Sequence, residues 1–217
     1  MMIPLKEIEE YYDGRLEMDF CANVRDNNPR HEYVKKSLET VKSLFEGKRV
    51  LSVGCGVGVL EDYMANFCLV TGIDISGKKI EYAREHFGAE YIHSSFEEFT
   101  TESPYDAICF IDALEHIQDQ EMIIKKINEL LLDGGVLLMN IPRKSIIEKW
   151  HKESSEILQI VDRLVDVDEL VESMGIHYHT VYRHEYYLYT MILMIKAKIP
   201  EYGELTDKEK GHMEGIE

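Results

Sequence analysis

Arg49–Gly58 reads RVLSVGCGVG, and the rest of the chain is arranged around it. A short apolar run, Val50, Leu51 and Val53, stops at glycines in alternate positions, Gly54, Gly56 and Gly58. Such a run reads as a buried parallel strand feeding a tight turn. Glycine tolerates positive φ and lets a ligand come close to the backbone. From Val59 to Asn66 the spacing is helical, with Leu60, Tyr63, Met64 and Phe67 to one side. The N–H groups of the turn therefore lie at a helix N-terminus, which favours a carboxylate or phosphate. The stretch is a cofactor-binding turn. A dinucleotide turn, G-x-G-x-x-G, would place its last glycine at Val59, and a P-loop would end in Gly-Lys-Ser/Thr. Neither pattern is present.

VLSVGCGVG resembles the first motif of the class I S-adenosylmethionine-dependent methyltransferases, V-L-D-x-G-C-G-x-G, with Ser52 in place of the usual acidic residue. By that resemblance Gly54, Cys55, Gly56 and Gly58 are expected to bind S-adenosyl-L-methionine and its product S-adenosyl-L-homocysteine. Downstream, CLVTGIDI (Cys68–Ile75) reads as the second strand. Asp74 closes it about 20 positions after the glycine turn, a spacing that suits a carboxylate on a ribose diol, with Ile75 beside it. The competing role for Asp74 is an N-cap of the helix Ser76–Phe87, which Ser76 fills equally well. Glu90–Ile92 is a short third strand. In the following HSSFEEF, Ser95 and Phe96 match the family's adenine-binding positions, although the acidic member is missing. Phe96 suits either a base or the core.

Tyr105–Ile117, YDAICFIDALEHI, gives a fourth strand that ends at Asp112 and a helix beginning at the ligand-binding edge of the sheet. A Tyr/Phe-Asp opening and a Leu-Glu-His close are similar to the small-molecule branch of the family, including methyltransferases of the ubiquinone-biosynthesis type. Asp112 is assigned to the cofactor, and Glu115 and His116 to catalysis. On a helix, positions i, i+3 and i+4 share one face, so Asp112, Glu115 and His116 are expected to converge. Three roles compete. His116 is a general base for an acceptor hydroxyl, imidazole being suited to that pH range; the trio is a divalent-metal site; or Glu115 and His116 only brace the helix. No metal is assigned.

Length and charge bound the rest. At 217 residues, one α/β domain with a full core is expected. Three segments are read: an N-terminal helical cap at 1–47, the methyltransferase domain at 48–199 and an acidic tail at 200–217. The expected sheet is doubly wound and Rossmann-like, of about seven strands, mostly parallel with an antiparallel C-terminal hairpin. A net charge of −17 and the lack of a basic stripe disfavour nucleic acid. No apolar run approaches the ~20 residues that span a bilayer, and Met1–Arg15 is too acidic for a secretory leader. A cytoplasmic protein without a membrane partner is the expectation, with a homodimer left open. The four cysteines, Cys21, Cys55, Cys68 and Cys109, lack metal-site spacing.

In the cap, Ile3–Tyr12 and Arg30–Gly47 read as helices, and Tyr11, Tyr12 and Arg25 are candidates to touch a ligand. Gln120–Leu132 is an amphipathic helix, Asp133-Gly134-Gly135 ends it, and Val136–Ile141 is the fifth strand. Arg143–Gln159 is polar and lies at the ligand edge after the fifth strand; Trp150 and His151 are candidates for the acceptor pocket, an exposed connector being the alternative. Asp168–Met174 is a helix, and His177–His184 with Tyr187–Lys196 the closing hairpin. His177 and His179 share a strand face without a third ligand nearby. The resemblance implies methyl transfer to a small acceptor, with a candidate base favouring a hydroxyl on a sugar or phenol. The alternatives are an N-methyltransferase acting on an amine or protein, and a binding subunit without turnover.

Overall fold

The computed structural model describes residues 3–16, 29–153, 165–186 and 188–198. Arg25, Cys21 and the tail 200–217 lie outside the described residues, as do the side chains of Trp150 and His151. In chain order the elements are α1 (Leu5–Asp13), α2 (Pro29–Val41), β1 (Arg49–Val53), α3 (Val59–Met64), β2 (Leu69–Asp74), α4 (Gly77–His86), β3 (Glu90–His93), β4 (Tyr105–Ile111), α5 (Gln120–Leu130), β5 (Leu131–Pro142), α6 (Lys144–Glu153), α7 (Val167–Met174), β6 (Tyr178–Tyr186) and β7 (Tyr189–Lys196).

The strands form one 7-stranded sheet in the order β3-β2-β1-β4-β5-β7-β6. β1 to β5 pair in parallel, and β7 enters antiparallel between β5 and β6. The apolar runs are continuous because both faces are covered. Leu51, Val53, Ile108 and Phe110 face one core with Ile123 and Ile127 of α5 and Leu170 of α7. Val50, Ala107 and Cys109 face the other, with Val34 and Leu38 of α2 and Leu60 and Met64 of α3. This is the Rossmann-like α/β sheet with the antiparallel C-terminal pair that the strand pattern predicts.

Several boundaries differ from expectation. The Asp133-Gly134-Gly135 break does not separate helix from strand: α5 stops at Leu130, and β5 begins at Leu131, with a register shift between Tyr105 and Ala107. Lys144–Glu153 is a helix rather than a connector. His177 closes a 3-10 turn, Gly175–His177, so it shares no strand face with His179. Among the described residues no group of three or more His, Cys, Asp or Glu is placed to hold a metal ion, and no helix is long and apolar enough to cross a membrane.

The chain runs from β3 at the sheet edge back to β4 beside β1. A crevice therefore opens beyond the carboxyl ends of β1 and β4, where the strand order reverses.

Candidate active site

That crevice is a cavity of about 360 Å³, within the roughly 300–1,000 Å³ usual for small-ligand sites. Gly54, Cys55, Gly56, Asp74, Ile75, Ser95, Phe96, Asp112, Glu115 and His116 all line it. Gly58 does not. Its carbonyl accepts the Tyr91 hydroxyl at 3.1 Å, and a Cβ there would stand 2.7 Å from that oxygen, so packing on Tyr91 explains this glycine.

The glycine turn is pinned to β2. Gly54 N and Cys55 N donate to Ile73 O at 2.8 and 3.0 Å, and Gly56 N donates to Asp74 Oδ2 at 2.8 Å. Gly54 has φ +71°, and a Cβ on it would lie 2.5 Å from Ala113 Cβ. Gly54→Ala is expected to destabilise the fold by about 1–2 kcal/mol through backbone strain and overpacking. Urea unfolding checks this, and an unchanged midpoint would contradict it. Gly56 differs, because nothing lies within 4 Å of the position its Cβ would take. The backbone is bare there towards the cavity. α3 has only six residues, so its dipole adds little to the turn.

Asp74 is 8% exposed. Its Oδ1 accepts from Ser76 N at 2.8 Å, opposite the Gly56 bond. Each oxygen retains a lone pair, since a carboxylate accepts about four hydrogen bonds. Ser76 is the N-cap of α4, its side chain accepting from Lys79 N, which relieves Asp74 of that task. Ser95 Oγ accepts from Glu98 N at 3.1 Å, and its hydroxyl hydrogen-bonds to the Glu97 carboxyl. Phe96 belongs to the core, edge-on to Phe110 at 5.2 Å, while also walling the cavity. Burial, reinforced by the carboxylates of Glu61 and Asp74, pushes the Cys55 thiol well above its ordinary value. It is a neutral wall and not a nucleophile.

No helix carries Asp112, Glu115 and His116. Asp112 directly follows β4 with φ +51°, and Leu114–His116 is a 3-10 turn. The three still face one cavity. Asp112 is fixed by Asn140 of β5: its N–H donates to Asn140 O at 3.0 Å, and its Oδ1 accepts from Asn140 Nδ2 at 2.6 Å. Asn140 Oδ1 in turn accepts from the Tyr186 hydroxyl at 2.8 Å. A left-handed aspartate held this firmly is strain concentrated at the strand end, as functional sites often show. Glu115 is 3% exposed. Its Oε1 lies 3.9 Å from His116 Nε2. The Tyr12 ring meets the His116 ring edge-on at 5.5 Å.

α1 and Arg15 just after it form the roof, with Leu5, Ile8, Tyr11, Tyr12 and Arg15 lining the cavity. Asp13 Oδ1 accepts from Ser76 Oγ at 2.6 Å and Lys78 N at 3.2 Å. Glu9 Oε1 stands 3.1 Å from His93 Nε2. Ile3 and Gln118 exchange hydrogen bonds at 2.7 and 2.9 Å. Ile147 of α6 and Lys79 of α4 add to the walls. The sequence alone does not single out these two, nor Glu61 and Asn140. Ile147 was hidden by the polar look of its segment; Asn140, by its place inside an apolar strand. Ser52 was the signal for Glu61: its hydroxyl donates to Glu61 Oε1 at 2.6 Å.

Residues 26–184 match the family model described as a methyltransferase domain. The chain is 36% identical over 128 residues to the ubiquinone biosynthesis O-methyltransferase of Vibrio atlanticus (strain LGP32), covering 55% of this chain and 52% of that protein. It thus spans about half the length of the curated relatives it matches. Among solved structures, the N-methyltransferase NodS from Bradyrhizobium japonicum WM9, in complex with S-adenosyl-L-homocysteine, superposes with a TM-score of 0.69 at 16% identity, over 86% of this chain and 99% of that one. The magnesium protoporphyrin IX methyltransferase ChlM from Synechocystis PCC 6803, with bound SAM, gives 0.65 at 16% identity, over 91% and 99%. At such identities the likeness is one of fold.

Proposed function

The chain belongs to the methyltransferase-domain family, and on that premise we propose that it moves a methyl group from S-adenosylmethionine to the hydroxyl of a small phenolic acceptor. The observation that carries this reading is one cavity lined both by a loop-pinned carboxylate, Asp74, and by the His116–Glu115 pair. The residues present suit the cofactor. Asp74 has acceptor capacity for a ribose diol, Gly56 leaves bare backbone, and Ser95 and Phe96 offer a hydroxyl and an apolar face for a base.

When bound, the cofactor supplies an electrophilic methyl group on a cationic sulfur. His116 takes the proton of the acceptor hydroxyl, and Glu115 orients the imidazole and balances its charge. Tyr12 and Ile8 in the roof and Phe96 in the wall exclude water. Transfer discharges a cation, so a poorly hydrated cavity favours it. Holding the acceptor oxygen in line supplies most of the rate. A hydroxyl acceptor is supported by the base and by the relatives named O-methyltransferases. An aromatic one is supported by Tyr11, Tyr12, Pro142 and Tyr189 in the walls. The charge of −17 argues against a nucleic-acid substrate, and the cytosol is the compartment that fits this reading.

The test is incubation of the purified chain with S-adenosylmethionine and matched panels of phenols, sugars and amines, products being read by mass spectrometry. Methyl ethers of phenols are expected. Methylated amines alone would replace the proposal with N-methylation, and cofactor binding without turnover would leave a binding subunit.

A further inference from the structure

Glu61 is a buried carboxylate to which the mechanism above gives no task. It stands in the first turn of α3, is 2% exposed and lines the cavity. Ser52 holds its Oε1, whereas Oε2, equally buried, meets no hydrogen-bond donor among the described residues. Asp74, by contrast, is engaged through both oxygens. The charged neighbour of Glu61 is Asp74, another anion; burial first, and that charge in addition, lift the Glu61 carboxyl to about 7. A buried carboxylate with an open acceptor and an anionic neighbour selects a ligand group that is both cationic and a hydrogen-bond donor.

We propose that Glu61 Oε2 receives the α-ammonium of the cofactor's methionine moiety, with Ser52 holding the carboxylate in place. The assignment rests on the adenosylmethionine reading given above. The sulfonium is cationic but has no N–H or O–H, so the ammonium alone satisfies both demands. Ser52 at the end of β1 does not itself supply the charge; the residue nine positions later does. Glu61 is faced by Ser52 from β1, Asp74 from β2, Tyr91 from β3, Cys109 from β4 and Cys55 from the loop. Burial raises both thiols and the Tyr91 phenol, which stay neutral near pH 7. Receiving a cation requires Glu61 ionised, so ligand binding below its folded value drives a proton out.

Calorimetry with two ligands tests this: S-adenosylhomocysteine, which has the ammonium, and 5′-methylthioadenosine, which lacks the amino-acid part. Glu61→Gln keeps shape and an acceptor for Ser52. It is expected to weaken S-adenosylhomocysteine by about tenfold or more and 5′-methylthioadenosine by no more than about twofold. Wild-type protein at about pH 6.5 is expected to release a proton on binding S-adenosylhomocysteine, seen as a heat that varies with buffer ionisation enthalpy and is absent from the variant. Unchanged affinity, or equal losses for both ligands, overturns the assignment. Should the variant fail to fold, lack of proton release by the wild type overturns it alone. Wild-type protein that binds neither ligand overturns instead the cofactor reading beneath it.

Discussion

Replacing His116 by alanine is expected to slow methyl transfer to a hydroxyl by about 10²–10⁴-fold, the range that a positioned base contributes. Affinity for S-adenosylhomocysteine should stay within about twofold, because the role proposed for His116, in the 3-10 turn after β4, is toward the acceptor and not the cofactor. Its side chain is 28% exposed, enough to meet a substrate and too little to be a surface group. The buried Glu115 carboxylate behind Nε2 balances the charge that forms when the ring takes a proton. Single-turnover rates with a phenolic acceptor check the result. Added imidazole should restore part of the rate to the alanine variant, which a purely structural histidine would not allow. Full activity in the variant would remove the base from the mechanism.

Asp74→Ala is expected to weaken S-adenosylhomocysteine binding by about a hundredfold. Two effects add. The ribose hydroxyls lose an ionised acceptor, and hydrogen bonds to charged groups are worth about 1.5–3 kcal/mol each. The turn also loses its tie to β2, since Gly56 N and Ser76 N both donate to this carboxylate. Asp74→Asn, which keeps one acceptor oxygen, should fall between wild type and alanine. Calorimetry reads both, and equal affinity across the series would withdraw the ribose role.

Most of the sheet was legible because its signals are local. Apolar runs ending at glycine or aspartate mark β1, β2 and β4, and Ser76 at the head of α4 is an ordinary cap. What was not legible depends on partners distant in sequence. A helix after Asp112 was a fair reading of DALEHI, but pairing with Asn140, 28 residues away, holds Asp112 in a left-handed conformation that a helix cannot continue from. β5 absorbed its Asp-Gly-Gly because Leu131 pairs with Tyr105 ahead of the bulge. In α6, only Ile147 of its described side chains is buried, so the segment reads as polar until the cavity it borders is seen. Glu61 hid for a related reason. The family's first motif carries its acid in the strand, whereas here the carboxylate stands in the following helix and a hydroxyl occupies the strand position.

The attachment of α1 bears on access to the cavity. The helix and Ile3 before it are tied to Ser76, Lys78, His93 and Gln118 by polar contacts. Because α1 lies over the cavity, the proposed activity requires those few ties to part wherever reagent and product pass beneath this helix.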